Sequence, residues 1–260
     1  MRRTLFPLAC AVLIAAALCL NAQAQGKLFA QPAKVRQEAL MRRLFPEYYG
    51  KSFPQEALII EEFYPIGWSK DGKFAYYTEP GDEACGCYFA ELSIVDTVSD
   101  KVLWSFEYSG LDDENPDKPK YKSITDLWAK NRKLFSDKLN QYGIVALARP
   151  ALLAFPIDHA GDRLSTDLKI EEETDQEKRT YSGVKKAALR LTSRRSGAKT
   201  IYEEAHPEYG PLAVGVLGYL KSPYEPRVAV VLVEAWRGYE GPPHVTRVTV
   251  VGASLTAGFK

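Results

Sequence analysis

The sequence predicts an α+β fold, mostly antiparallel strands and hairpins with one or two packed helices. Three observations point there. From Ala57 onward, aromatic and β-branched runs recur on either side of short turn signals. One stretch, 123–142, interrupts that texture with helical spacing. The C-terminal end then carries three strong strand-like runs: LAVGVLGYLKS, RVAVVLVEAWRG and VTRVTVVGASL.

The first element is an address. Arg2 and Arg3 make a positive start, residues 8–20 (LACAVLIAAALCL) an apolar run, and Ala22-Gln23-Ala24 an A-x-A cleavage site. This is the pattern of a secretory signal peptide spanning 1–24. The run falls short of the ~20 residues a membrane span needs. Cys19 follows Leu18, where a lipoprotein signal would carry a small residue. Cleavage after Ala24 would leave a periplasmic or extracellular protein with no transmembrane segment.

Cleavage would also remove Cys10, Cys19 and two arginines from a chain with 34 Lys+Arg against 33 Asp+Glu. The remaining near-neutral balance argues against a nucleic-acid partner, which would demand a basic patch. Only Cys85 and Cys87 would remain. Two cysteines are too few for a disulfide scaffold, so the core must hold the fold.

Residues 25–56 are expected as an N-terminal helical segment and 57–260 as a single α+β domain. Within the first, Val35, Ala39, Leu40 and Leu44 give 33–45 a helical stripe with a basic outer face, ended by Pro46. ALIIEEFYPIGWS and KDGKFAYYTEP form a hairpin around Lys70-Asp71-Gly72-Lys73. YFAELSIVDT and KVLWSFEYSG form a second around Val98-Ser99-Asp100. Residues 111–120, LDDENPDKPK, are a proline-broken loop.

Ser123 and Asp126 have capping-box spacing and open the central helix near 123–142. Its stripe is Ile124, Trp128, Phe135, Leu139 and Tyr142, and Gly143 is its stop. Residues 168–182 read as a strand running into an exposed turn. Ala187, Leu189 and Leu191 alternate, which predicts two strands around Ser196-Gly197.

A faint echo links Phe63–Tyr76 with Leu217–Val230, each a strand, a turn and a strand. Trp68-Ser69-Lys70-Asp71-Gly72 is a habit of propeller blades, so a partial β-propeller is the alternative architecture. Only two such hairpins occur, and a propeller needs at least four blades.

Two segments carry a resemblance. Trp68 to Tyr76 runs on through Cys87 to Asp96. Ser222-Pro223, Arg227 to Leu232 and Arg237-Gly238-Tyr239-Glu240-Gly241-Pro242 lead into a last strand at Val248–Gly252. Both are similar to a family of predicted secreted bacterial proteins of unassigned function, with a Ser-x-Asp-Gly hairpin and a Gly-Tyr-Glu-Gly-Pro turn. The resemblance implies export and kinship of fold, and no activity. The chain departs from it at Pro226 and at Cys85-Gly86-Cys87.

No catalytic set stands out. There is no G-x-S-x-G elbow. Gly215 and Gly218 sit inside an apolar strand rather than a phosphate loop. His159, His206 and His244 lack metal spacing and read as solvated turn residues, so neither a metal site nor a cofactor is expected. Glu171-Glu172-Glu173 reads as a solvated strand end, lacking the turn of a Ca²⁺ loop.

Cys85 and Cys87 offer three readings: a local crosslink, a redox pair or part of a metal site. In an extended strand their Cα atoms would stand about 6.5 Å apart, near the limit for a bridge. Gly86 allows the kink that closes the gap. The turn Trp236 to Pro243 gathers Trp236, Arg237, Tyr239 and Glu240, and Trp, Tyr and Arg are the types enriched in binding hot spots. With Trp68, these residues predict a contact surface for a protein, peptide or glycan. The expected function is a non-enzymatic exported binding module. The alternative is a thiol-redox or metal-binding protein built on Cys85 and Cys87.

Overall fold

The structure, a computed structural model, describes residues 26–50, 57–111 and 120–260. The expected signal peptide, Cys10, Cys19 and nearly all of the 111–120 loop lie outside those residues.

The fold is α+β, dominated by antiparallel strands. β1 (Leu58–Ile59), β2 (Glu62–Trp68), β3 (Lys73–Glu79), β4 (Phe89–Asp96) and β5 (Lys101–Ser109) follow a short helix, α1 (Glu38–Leu44). Helix α2 (Ile124–Gln141) comes next, then β6 (Val145–Ala146), β7 (Ile157–His159) and β8 (Asp162–Glu172). A one-turn helix, α3 (Gln176–Arg179), precedes β9 (Val184–Ser193) and β10 (Gly197–Ala205). The chain closes with β11 (Ala213–Lys221), β12 (Arg227–Trp236) and β13 (His244–Ser254).

Among the described residues three sheets form, with strand orders β5-β4-β3-β2-β6, β1-β13-β12-β11 and β10-β9-β8-β7. All pairings within them are antiparallel except β1 with β13. Both expected N-terminal hairpins form, as β2–β3 and β4–β5. The echoing segments fall in two different sheets that pack face to face. Among the described residues the sheets stack in layers and form no propeller ring.

Helix α2 covers the first sheet. Ser123 accepts a hydrogen bond from the Asp126 N–H at 3.3 Å, satisfying a donor the helix cannot. Leu127, Trp128, Phe135 and Leu139 pack on Tyr64, Ile66, Tyr77, Leu92 and Ile94. The sheet's other face, with Phe63, Phe74 and Val95, packs on Ala229, Val231, Val233 and Ala235 of β12. The alternate residues Val228, Val230 and Leu232 meet Leu164, Leu189 and Leu191 of the third sheet. β12 is therefore buried on both faces, which is why its sequence is a continuous apolar run rather than an alternating one.

Two expectations change. Helix α1 begins at Glu38, not near residue 33. Gln37 is held by bonds from its side chain to Glu61 O and from Phe63 N, and Val35 N donates to Phe63 O. These contacts keep the preceding chain extended against β2. The second change is Trp68. The register of β2 against β3 shifts between Pro65 and Gly67. A bulge reverses which face a side chain meets. Tyr64 and Ile66 face α2, whereas Trp68 turns into the sheet–sheet interface and is 0% exposed, 4.8 Å from the Phe74 ring. Trp68 belongs to the core and not to a contact surface.

Candidate functional site

The turn between β12 and β13 presents its side chains in graded exposure. Trp236 ends β12 half-buried. Its indole N–H donates to Glu234 Oε2 at 2.8 Å, and the Arg247 guanidinium lies 4.6 Å over its ring. Arg237 donates to Thr180 O at 2.7 Å and stacks 4.8 Å over Tyr181. Glu240 is exposed, and Tyr239 is 90% exposed. With the exposed Tyr181 and Tyr209 in a groove shared with Trp236 and Arg237, so open a ring on a held turn marks a candidate contact site.

Cys85 and Cys87 are joined in a disulfide with Cα atoms 5.1 Å apart. Gly86 takes φ +63°, the conformation that closes so short a ring. Asp82 organises the loop: its carboxylate accepts the N–H groups of Ala84 (3.2 Å), Cys85 (2.9 Å) and Cys87 (3.0 Å). Burial opposes ionisation of Asp82, but these backbone donors outweigh it and hold its carboxyl below the usual range. With both sulfurs bridged, neither is a thiolate that could ligate a metal.

The fold brings these two loops together. Glu83 accepts the N–H of Tyr239 at 2.6 Å. The neighbouring Gly238 N–H donates to His244 Nδ1 at 3.2 Å. A Cβ at Gly238 would lie 2.0 Å from a Glu83 carboxylate oxygen and 2.3 Å from Pro243 O, so only glycine fits. Burial, then the nearby Arg237, lowers the His244 pKa, with Glu83 opposing. The neutral ring this favours can offer Nδ1 as an acceptor.

Two grooves flank the turn. One, of about 390 Å³, is lined by Tyr181, Tyr209, Gly210, Trp236 and Arg237. The other, of about 400 Å³, lies between Glu83, Ala84, Tyr239, Glu240, Pro242 and Pro243. Tyr181 and Tyr209 meet edge to face at 6.1 Å and are 50% and 60% exposed. They were invisible as site residues in the sequence, because nothing local ties them to the turn.

Behind Trp236 lies a cluster that sequence reasoning missed. Ligand atoms of Glu204, His206 and Glu234 lie within 4.8 Å of one another. His206 is 7% exposed, meets the Trp236 ring edge-on at 5.7 Å, and its Nε2 has no hydrogen-bond partner. Tyr202 places its hydroxyl 2.7 Å from Glu204 Oε2 and 2.9 Å from Glu234 Oε1. Burial and then these carboxylates push the Tyr202 phenol well above its ordinary pKa. His206 and His244 are buried and are not solvated turn residues; His159 is half-buried. Glu173 is buried too, its Oε1 accepting the N–H groups of Thr174 and Asp175, so only Glu171 and Glu172 form a solvated strand end. A local sequence signal for the cluster was Glu204-x-His206, a same-face pair at a strand end.

Among the described residues, no helix is long and apolar enough to cross a membrane. No family model, curated protein or solved structure matches the chain.

Proposed function

We propose that the protein is an exported binding module whose contact face is the turn Trp236–Pro243 together with Tyr181 and Tyr209. The carrying observation is Tyr239, 90% exposed on a turn pinned by Glu83 and His244 between two open grooves. A turn already held loses little conformational freedom on binding, so more of its contact energy appears as affinity. The occupant that fits is an extended peptide segment of a partner protein. Its side chains would enter the tyrosine–tryptophan groove, as proline-rich or aromatic segments enter aromatic-lined grooves. Arg237 offers a charged anchor at the groove wall. Export is supported by the N-terminal pattern and by an oxidised cysteine pair, which persists in extracytoplasmic compartments.

The test is a random-peptide display screen against the purified protein, run beside a glycan array. Selected peptides should bind at micromolar strength. Tyr239→Ala and Arg237→Ala should each weaken them about tenfold or more. Peptide binding indifferent to both changes, or binding to glycans alone, would remove the proposal.

A further inference from the structure

We propose that Glu204, His206 and Glu234 form a binding site for one divalent transition-metal cation of the zinc type. Its three ligands lie outside the peptide-binding face, which shares only Trp236 with the site, so the proposal would survive that reading's failure.

Three donors converge from two strands. Glu204 is the penultimate residue of β10 and His206 lies just past its end, two residues on, where strand alternation puts both on one side. Glu234 comes from β12, on the face turned toward the third sheet. One imidazole and two carboxylates is a donor set suited to zinc and its neighbours. The nitrogen disfavours Ca²⁺ and Mg²⁺, which take oxygen. Tetrahedral ligation at about 2.1 Å asks for donor–donor separations of about 3.4 Å. The present spacing, within 4.8 Å, needs only a modest contraction. Glu204, the exposed member, is free to supply it by side-chain rotation.

Two details set this cluster apart from a chance grouping of acids. First, a buried imidazole nitrogen without a partner is costly, and His206 Nε2 is one. A cation would satisfy a ring nitrogen that the protein leaves bare. Second, Tyr202 has one hydroxyl proton and two carboxylates within hydrogen-bond distance. It can donate to only one of them. The other carboxylate keeps negative charge that this hydroxyl does not meet, which a cation would balance.

The surroundings also supply what ligands need behind them. Trp236 Nε1 holds one oxygen of Glu234 at 2.8 Å, and Tyr202 stands 2.9 Å from the other. Such outer partners fix a ligand's orientation and are worth about 10- to 100-fold in metal affinity. Three protein donors leave a fourth position for water.

The experiment is calorimetric titration of the chelator-treated, unreduced protein with Zn²⁺, repeated with Co²⁺ and Ca²⁺. One equivalent of Zn²⁺ should bind at micromolar strength or tighter. Co²⁺ should bind with visible d–d absorption of a low-coordinate site, and Ca²⁺ should not compete. Glu204→Gln and His206→Gln should each weaken Zn²⁺ at least about tenfold. Tyr202→Phe should weaken it about tenfold, the outer-partner effect. His159→Ala should leave it unchanged. Circular dichroism confirms folding, and Glu204, being exposed, can be changed without opening the core. Absence of one-equivalent binding overturns the site. So does binding that survives Glu204→Gln and His206→Gln together, or that vanishes with His159→Ala.

Discussion

The Glu83 carboxylate accepts the backbone N–H of Tyr239 at 2.6 Å, joining positions 156 residues apart. This contact puts the disulfide loop and the aromatic turn in one unit, because Glu83 directly follows Asp82, the organiser of Cys85 and Cys87. Changing Glu83 to Ala should free the Tyr239 amide. Hydrogen exchange there should quicken about tenfold, while amides in β12 keep their protection. Unchanged exchange at Tyr239 would show that Gly238 and the prolines hold the turn without Glu83.

The disulfide should matter more to the turn than to the fold. A crosslink closing a ring of three residues removes little freedom from the unfolded chain, about 1–2 kcal/mol on the loop-entropy scale. Replacing Cys85 and Cys87 together by Ser should therefore lower Tm by only a few degrees. Peptide binding at the turn should fall several-fold, through the loss of the frame that aims Glu83. Equal loss of stability and binding would mean that the loop is a structural staple alone.

Glu61 sets a pH dependence. It is 7% exposed between β1 and β2, and burial raises its pKa from 4.5 to about 7, only partly offset by the Val248 N–H and the Thr78 side chain. In the folded state it holds its proton at pH values where the unfolded chain has released it. Stability is then fullest below pH about 4.5 and falls as pH climbs through about 7. The size is about 3 kcal/mol from this group alone. Glu61→Gln should flatten that limb, matching wild type near pH 4.5 and exceeding it at pH 8 in denaturant melts. A variant no more stable than wild type at pH 8 would contradict the raised pKa.

Trp68 gives a contrast of size and polarity. It is 0% exposed and its Nε1 has no partner. Trp68→Phe removes the unmet donor while keeping much of the ring contact, and should cost about 1–2 kcal/mol. Trp68→Ala opens a cavity between two sheets and should cost about 3–5 kcal/mol. Both should leave binding at the turn unaffected. A loss of binding on Trp68→Phe would restore it to the contact surface.

How much of this was legible follows from where each signal lives. The hairpins, the capped helix and the strands β9 to β13 were readable because their periodicity and turn residues are local. The stacking of three sheets was not, since no alternation says which sheet an apolar face will meet. Trp68 looked exposed because it abuts a tight turn. A one-residue register shift two positions earlier sends it inward. Tyr239 was picked out correctly as a surface residue because its turn is rich in Gly and Pro. Glu234 was hidden in plain view: it sits in RVAVVLVEAW, where one acid among buried apolar residues is the anomaly to ask about. His206 could not be paired with it, because the partner lies on another strand.

The doubly covered strand β12 has a bearing on how the protein is made. A chain emerging from a ribosome or a translocation channel has delivered eleven strands before β12 arrives. Until then the first and third sheets lack the strand that covers both their apolar faces, with β12 and β13 absent from the central layer. Both of those faces are covered by one strand that comes late in the chain. A premature stop codon after β11 would leave no smaller working protein behind. It would leave one shortened chain with two apolar faces uncovered, the kind of surface that invites aggregation.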